Sequence, residues 1–334
     1  LVITKIFDFR TTAGSHESSA PRAFEVFAVS ISTQESAPRA FEVLSEFLAL
    51  ALTRTHPPDN RPVFSGPCAI TGVRQFSADY LETTRQGMWE GSREALVDLD
   101  LAERESVLDV GCGTGVLTRV LREECPGRVV GLDADPTLLQ AVDPPVVRGD
   151  ATRLPFREDA VDLVVCQALL INLPDPAVAV REFARVAADA VAVVEPDNSA
   201  VTIESTVDDE PALARRARER YLDGVDTDVA LGASAADLFD DAGLDVVSTR
   251  RYDQVRRTGP PYSESAIEAA RRKATGEAIA DDRAEILAGD ASEADYDELR
   301  RQWRSLGRDV VEQMQNEAYE RTETVPFFVT VGRV

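Results

Sequence analysis

The chain has 334 residues, and its 59 Asp and Glu residues against 36 Lys and Arg residues give a formal net charge of −23. Because 44% of the residues are hydrophobic, a folded acidic protein with a sizeable core is expected, and global disorder is excluded. No apolar run reaches the roughly eighteen residues that span a bilayer, so the sequence predicts no membrane segment. The four cysteines lack the paired spacing of metal sites, which predicts a reduced cytoplasmic protein without a metal.

The basic residues are almost all arginine, since lysine occurs only at Lys5 and Lys273. An acid excess with so little lysine predicts a halophilic protein, because concentrated salt screens the repulsion between surface carboxylates. A merely acidic protein from a GC-rich genome is the alternative. The negative charge disfavours sequence-independent binding of nucleic acid, although a local basic groove is still compatible with it.

Residues 1–70 differ in composition from the rest of the chain. They carry six basic and seven acidic residues and both histidines, whereas residues 71–334 carry thirty basic and fifty-two acidic residues. Within them the segment Ser19–Val26 recurs as Ser36–Val43. We expect 1–70 to be an extension outside the main fold, either a short helical appendage or upstream sequence joined by a wrong start assignment.

Helical and strand patterns alternate along most of the remaining chain, which predicts a parallel sheet with helices on both faces. The predicted strands are 106–110, 128–133, 145–148, 161–166, 189–195, 244–248 and 325–331, and the predicted helices are 77–99, 116–124, 136–141, 175–187 and 234–242. We therefore expect a main domain over 71–258 and 324–334.

A helical insert is predicted over 259–323, just before the last strand. Its clearest apolar stripe contains Trp303, Leu306, Val310 and Met314, which we interpret as ordinary packing. An insert at this place can fold as a lid over the carboxyl edge of the sheet, where ligands bind in open α/β folds.

The segment Val107–Gly115 runs from a buried strand into three alternating glycines and then a helix. Glycines there let the backbone approach a ligand and adopt torsions that other residues disfavour. A second strand ends in Asp133, where a carboxylate can accept hydrogen bonds from two ribose hydroxyls. No Gly-Lys-Ser/Thr follows the glycines, which excludes a phosphate-binding P-loop.

Four segments, Leu108–Gly115, Val130–Asp133, Gly149–Phe156 and Asp162–Cys166, together resemble the class I S-adenosylmethionine-dependent methyltransferases, with a methyltransferase domain of the type 11 or 25 kind. The resemblance implies a Rossmann-like α/β sheet of seven strands whose last strand is antiparallel, and S-adenosylmethionine as the cofactor. It also implies a set of cofactor-binding positions, namely Asp109, Gly111, Cys112, Gly113, Gly115, Asp133, Ala134, Asp150, Ala151 and Gln167.

The same resemblance implies roles for these residues. Asp109 would meet the methionine end of the cofactor, and Asp133 would hold the ribose hydroxyls with Ala134 beside the adenine. Asp150 would accept from the adenine amino group, and Ala151 would offer its backbone N–H. Gln167 would face the reactive end of the cofactor.

The acceptor side is less defined, and residues 71–334 offer no histidine as a general base. The candidates for acceptor contacts are Tyr80, Asn172, Glu195, Asp197 and Asn198, although Glu195–Asn198 also reads as a proline turn. Tyr80, Arg85 and Trp89 lie on a segment that resembles the family's leading helix and are expected to close the site.

No Asn/Asp-Pro-Pro-Tyr follows the fourth strand and no Pro-Cys nucleophile is present, so a small-molecule acceptor is favoured over nucleic acid. A methyltransferase acting on RNA or protein is an alternative. Two further alternatives are a catalytically silent S-adenosylmethionine-binding sensor or partner subunit, and a nucleotide-linked oxidoreductase.

Overall fold

The computed structural model describes residues 88–89 and 93–334, in which eight strands form one mixed sheet. The predicted extension 1–70 and most of the helix predicted over 77–99 lie outside the described residues. The strands are β1 (Ser106–Val110), β2 (Arg128–Asp133), β3 (Val146–Arg148), β4 (Val161–Gln167), β5 (Ala187–Pro196), β6 (Thr202–Ser205), β7 (Asp245–Thr258) and β8 (Arg321–Arg333). The α-helices are α1 (Val116–Glu124), α2 (Pro136–Leu139), α3 (Pro176–Val186), α4 (Glu210–Leu222), α5 (Ala235–Ala242), α6 (Glu264–Thr275), α7 (Ala278–Asp281), α8 (Arg283–Ala288) and α9 (Glu293–Gln315).

The sheet runs in the order β3-β2-β1-β4-β5-β8, with β7 on the far side of β8. The first five of these strands are parallel to one another, whereas β8 is antiparallel to β5 and to β7. This confirms the predicted α/β fold with an antiparallel last strand. The short strand β6 pairs with β8 beyond the end of β5, so the sheet has eight strands rather than the predicted seven.

Helices cover both faces of the sheet, as predicted. On one face α3 and α5 pack on the strands, with Phe183 and Phe239 fully buried among them. On the other face α1 and the 3₁₀ helix Glu94–Leu99 pack on Leu163 and its neighbours. The helix predicted through Leu99 is therefore wrong at its end, because a separate 3₁₀ helix stands there.

Strands β7 and β8 form a long antiparallel ribbon that extends past the carboxyl ends of the parallel strands. The last residue of β5, Pro196, pairs with Phe327, whereas β8 continues back to Arg321 opposite Thr258. Both strands are much longer than predicted. The reason is that β7 is largely exposed and rich in arginine, so hydrophobic alternation does not mark its full length.

Beyond the ribbon's end, α4 and α6–α9 build a second small core, which we call the cap. Its buried side chains include Leu213, Ile279, Ile286, Leu306 and Val310. Trp303 and Met314 are partly buried against the same core, so the apolar stripe serves packing as expected. Helix α4 lies between β5 and α5 and was not predicted, so the cap draws on two separate stretches of the chain.

Candidate functional site

The loop between β1 and α1 is shaped by three glycines in left-handed conformations. Gly111, Gly113 and Gly115 have φ values of 70°, 55° and 79°. A Cβ at Gly111 would lie 2.8 Å from Leu169 Cδ1, and one at Gly115 would lie 2.9 Å from Val142 Cγ1. Other residues at either position would therefore meet both backbone strain and a steric clash.

Two carboxylates anchor this loop at the carboxyl edge of the sheet. Asp133, the last residue of β2, accepts a hydrogen bond from Gly113 N at 2.8 Å and another from Asp135 N at 2.9 Å. Asp109, on β1, is 1% exposed and accepts from Thr118 Oγ1 of α1 at 2.6 Å. The glycine loop, β2 and the start of α1 are thus fixed to one another by charge-assisted hydrogen bonds.

The other predicted cofactor residues lie on neighbouring strand ends. Asp150 follows β3 and accepts from Thr152 N at 2.8 Å and Thr152 Oγ1 at 2.7 Å, while Ala151 is buried beside it. Ala134 is exposed next to Asp133, and its carbonyl accepts from Arg148 Nε at 3.2 Å. The structure therefore places these residues along one edge, at the carboxyl ends of β2 and β3.

Gln167 ends β4 beneath the short described segment 88–89. The indole Nε1 of Trp89 donates to Gln167 Oε1 at 3.4 Å, and the Trp89 ring stacks on Tyr252 with a centroid distance of 5.5 Å. Tyr252 also hydrogen-bonds through its hydroxyl to the Met88 carbonyl. Trp89 accordingly covers the end of β4, at the place where the sequence predicted a closing segment.

Two of the predicted site residues are placed differently from expectation. The side chain of Cys112 is not directed to a ligand but packs in a small apolar cluster with Leu139, Val142 and Val146. Burial, with the nearby charges of Asp109 and Asp133, raises the pKa of its thiol, so it stays protonated. Only the backbone of Cys112 belongs to the glycine loop.

Glu195 was predicted to contact the acceptor, but its carboxylate is fully buried. It accepts hydrogen bonds from the backbone N–H groups of Leu169 at 3.0 Å, Leu170 at 2.9 Å and Ile171 at 3.5 Å. Glu195 therefore supports the loop that follows β4 through these three amide groups.

Asp197 and Asn198 shape the turn after β5, which is the alternative that the proline in this segment suggested. Asp197 Oδ1 caps the 3₁₀ helix Asn198–Ala200 by accepting from Ser199 N at 2.9 Å. Asn198 Nδ2 donates to Val229 O at 2.6 Å. Tyr80 and Arg85, two further candidates, lie outside the described residues.

Two buried polar atoms at this edge have no hydrogen-bond partner among the described residues. They are Asn172 Oδ1, in the loop after β4, and Thr114 Oγ1, between two of the glycines. Asn172 was a predicted acceptor-side residue, whereas Thr114 was missed. A buried oxygen without a partner is costly, so these atoms fit a site that a ligand with its own donors completes.

Residues 88–89 and 93–334 contain no group of three or more His, Cys, Asp or Glu side chains that could hold a metal ion. No helix within the same residues has the length and apolarity needed to cross a bilayer.

Part of the parallel half of the sheet is similar to known proteins. Residues 108–193 match the family described as "Methyltransferase domain". The demethylmenaquinone methyltransferase of Lactiplantibacillus plantarum is 33% identical over 134 residues, which cover 36% of this chain and 54% of that protein. The chain thus spans about half the length of the curated relatives it matches.

Similar solved structures include two of low identity. One is the Bacillus subtilis YcgJ protein, 18% identical with a TM-score of 0.42, covering 72% of this chain and 98% of that one. The other is Haemonchus contortus phosphoethanolamine N-methyltransferase 2 with phosphomonomethylethanolamine and S-adenosylhomocysteine. It is 15% identical with a TM-score of 0.38, covering 78% of this chain and 58% of that one.

Proposed function

We propose that this chain, which carries a class I methyltransferase domain, transfers a methyl group from S-adenosylmethionine to a small-molecule acceptor. The observation that supports this proposal best is the glycine loop of positive-φ residues, tied to Asp133 through the 2.8 Å hydrogen bond from Gly113 N. Both partners lie within the matched segment.

The residues at the carboxyl edge fit the parts of this cofactor. Asp133 has lone pairs beyond those it already shares with backbone amides, so it can accept from ribose hydroxyls. Asp109, a buried carboxylic side chain, lies on the strand that leads into the loop and suits the ammonium of the methionine end. The unpartnered Thr114 Oγ1 can accept from the same end.

S-adenosylmethionine supplies an activated methyl group, so the protein has mainly to align the acceptor and exclude water. Asn172 Nδ2 donates to Ala168 O at 2.9 Å, which orients the side-chain amide. Its Oδ1 has no partner among the described residues, so it can accept from an N–H or O–H of the methyl acceptor. Trp89 over Gln167 shields the end of β4. With no histidine in 71–334, we infer an acceptor that reacts without an imidazole base.

Two features of the setting belong to the same proposal. We infer a reducing, cytoplasmic setting, which the buried free thiols of Cys112, Cys125 and Cys166 support. We also infer adaptation to high salt, which the charge of −23 supports. The acceptor of the demethylmenaquinone methyltransferases is not carried over, because the match covers only about half of their length.

Calorimetric titration of the full chain with S-adenosylmethionine in high salt tests the proposal. We expect binding by the native chain, loss of at least tenfold in affinity for Asp133→Ala, and little change for Asp135→Ala. Asp135 is the matched control because it is the neighbouring carboxylate and caps α2 through Thr137 N at 2.7 Å. Equal affinities of the native and Asp133→Ala chains would refute the assignment of the site.

Formation of product is the second requirement. Incubation with labelled S-adenosylmethionine and fractionated metabolites should give a labelled small molecule and S-adenosylhomocysteine. Binding without any labelled product across the fractions would instead favour the catalytically silent sensor, and label on RNA or protein would favour a macromolecular acceptor.

A further inference from the structure

The cap holds a group of charged side chains that the proposed methyl-donor site does not use. Four cations and two carboxylates converge where α4 and α6 meet the extended end of the β7–β8 ribbon. We call them the cap cluster, which consists of Glu210, Arg218, Arg256, Lys273, Arg321 and Glu323.

Each carboxylate of the cap cluster is already satisfied. Glu323 pairs with Arg256 across the ribbon at 2.6 Å and with Arg321 at 3.2 Å. Glu210, which is 1% exposed, pairs with Lys273 and accepts from Tyr319 Oη at 2.9 Å. It also accepts from a serine hydroxyl of β6. Both carboxylates are thus engaged by cations other than Arg218.

Arg218 is the unbalanced member of the cluster. Its guanidinium donates to Val201 O at 2.9 Å, and within residues 93–334 no carboxylate lies at ion-pair distance from it. The next acidic residue, Glu219, is exposed and pairs with Arg215 at 3.8 Å. Burial lowers the pKa of Arg218, the cations Arg321 and Arg256 add to this effect, and the carboxylates Glu323 and Glu219 oppose it.

The cap cluster therefore carries four positive and two negative charges, an excess of two positive charges in a chain whose net charge is −23. In addition, Arg256 Nε is buried and has no hydrogen-bond partner among the described residues. Arg218, Arg256 and Arg321 are each partly buried, so water screens their charges only in part, and guanidinium groups match the planar oxygens of carboxylates and phosphates. A bound oxyanion would balance the excess positive charge.

Strand β7 connects the cap cluster to the proposed methyl-donor site at the end of β4. One face of β7 carries Tyr252, Gln254 and Arg256, which are two residues apart. Tyr252 stacks on Trp89, and Trp89 in turn hydrogen-bonds Gln167 at the end of β4. Four residues of strand correspond to about 13 Å. An elongated small molecule can therefore reach from Arg256 towards the end of β4.

We propose that Arg218, Arg256 and Arg321 form an anion subsite that binds the carboxylate or phosphate group of the methyl acceptor. That the anion belongs to the methyl acceptor rests on the proposed function, but binding of an anion to the subsite can be measured without turnover. It assigns the acceptor to the class of elongated anionic metabolites, with the nucleophile at the end away from the anion.

The test uses the full chain and two probes, inorganic phosphate and succinate, titrated by calorimetry at constant ionic strength. Arg218→Gln removes the unbalanced cation and leaves both carboxylates with their partners. Arg215→Gln, an exposed arginine of the same helix, is the matched control. A second variant, Arg256→Gln, leaves Glu323 paired with Arg321.

We expect the native chain and Arg215→Gln to bind at least one probe, and Arg218→Gln and Arg256→Gln to bind it at least tenfold more weakly. Stronger binding of phosphate assigns a phosphorylated acceptor, and stronger binding of succinate a carboxylate. No binding of either probe by the native chain, or equal binding by all chains, overturns the subsite. Titration of the same proteins with S-adenosylmethionine separates the anion subsite from the proposed function, since a native chain that does not bind S-adenosylmethionine refutes the proposed function alone.

Discussion

Replacing Glu195 by glutamine removes a carboxylate that is fully buried at the end of β5. Burial raises the pKa of Glu195 to about 7 from its ordinary value of 4.5, although the N–H groups of Leu170, Leu169 and Ile171 partly oppose this rise. Folding therefore increases the proton affinity of this side chain. The effect can be measured as a dependence of stability on pH.

The sign of the effect follows from the order of the two pKa values. A carboxyl group whose pKa is higher in the folded state stabilises the fold most when it is protonated, and this contribution is lost as the pH rises towards about 7. At 1.36 kcal/mol per pKa unit, the whole contribution is about 3 kcal/mol. Most of it, roughly 2 to 3 kcal/mol, falls between roughly pH 5 and 8.

That pH window is favourable because few other groups titrate in it. Residues 71–334 contain no histidine. The carboxylates with lowered pKa, such as Glu210 and Glu323, contribute in the opposite direction and at a pH below their ordinary value of 4.5. The two histidines in 1–70 contribute equally to the native chain and to the variant, so they cancel in the difference.

Urea unfolding at about half-unit steps of pH, in constant high salt, gives the free energy of unfolding of both chains. We expect the native chain to lose roughly 2 to 3 kcal/mol of stability relative to Glu195→Gln between about pH 5 and 8. A difference that is flat within about 0.5 kcal/mol, or that rises with pH, would refute the reasoning. A flat difference would mean that the three amides balance the effect of burial on the pKa, and a rising difference that they outweigh it.

Three further outcomes follow from the same structure. Gly111→Ala should weaken S-adenosylmethionine binding in calorimetry, whereas Gly243→Ala should only destabilise the fold by about 1 kcal/mol, because Gly243 has a similar φ of 78° but open space around a Cβ. Lys273→Met should cost about 1.5 to 3 kcal/mol in chemical unfolding, since it removes the nearer of the two cations of buried Glu210 and leaves only Arg321 at 3.4 Å, whereas Arg301→Met in an exposed pair with Glu298 should cost less than about 1 kcal/mol. Raising potassium chloride from low to molar concentration should raise the melting temperature, because salt screens a net charge of −23; an unchanged melting temperature would contradict salt adaptation.

The parallel half of the fold could be predicted because its signals are local. Each of β1, β2 and β4 is a short apolar run followed by glycine or a polar residue, and the structure reproduces their bounds within one residue. The ribbon could not be predicted in full, since β7 is held by its pairing with β8 more than sixty residues away. Edge strands with one exposed face lack the hydrophobic run that marks a central strand.

The sequence of helix α4 contains signals of a helix. Pro211 stands in its first turn after three consecutive acidic residues, and Leu213, Ala214 and Ala217 recur with helical spacing. Its amphipathic pattern is weakened by arginines on the remaining faces. Those arginines include Arg218, so the same feature that concealed the helix supplies the unbalanced cation of the cap cluster.

At the donor site, the residue types were predictable but the contacts of Glu195 were not. A glutamate that ends a strand usually faces solvent or a ligand, and only the position of the 169–171 backbone decides otherwise. That backbone belongs to a loop some twenty-five residues earlier in the chain. A buried carboxylate of this kind depends on long-range placement of amide groups, about which hydrophobic periodicity carries no information.

The net charge of the chain does not predict the local charge of the cap cluster. A total of −23 argues against a polyanionic partner for the molecule as a whole, yet the cap cluster gathers an excess of two positive charges from β7, β8, α4 and α6. The sign of the local potential is set by which segments meet, and those segments are spread over more than a hundred residues. Because the chain as a whole is acidic, a small anion gains from the cap cluster only at short range, where desolvation strengthens the interaction. A long nucleic acid would meet the acidic surface as well, so the geometry favours a small anionic acceptor over a polymeric one.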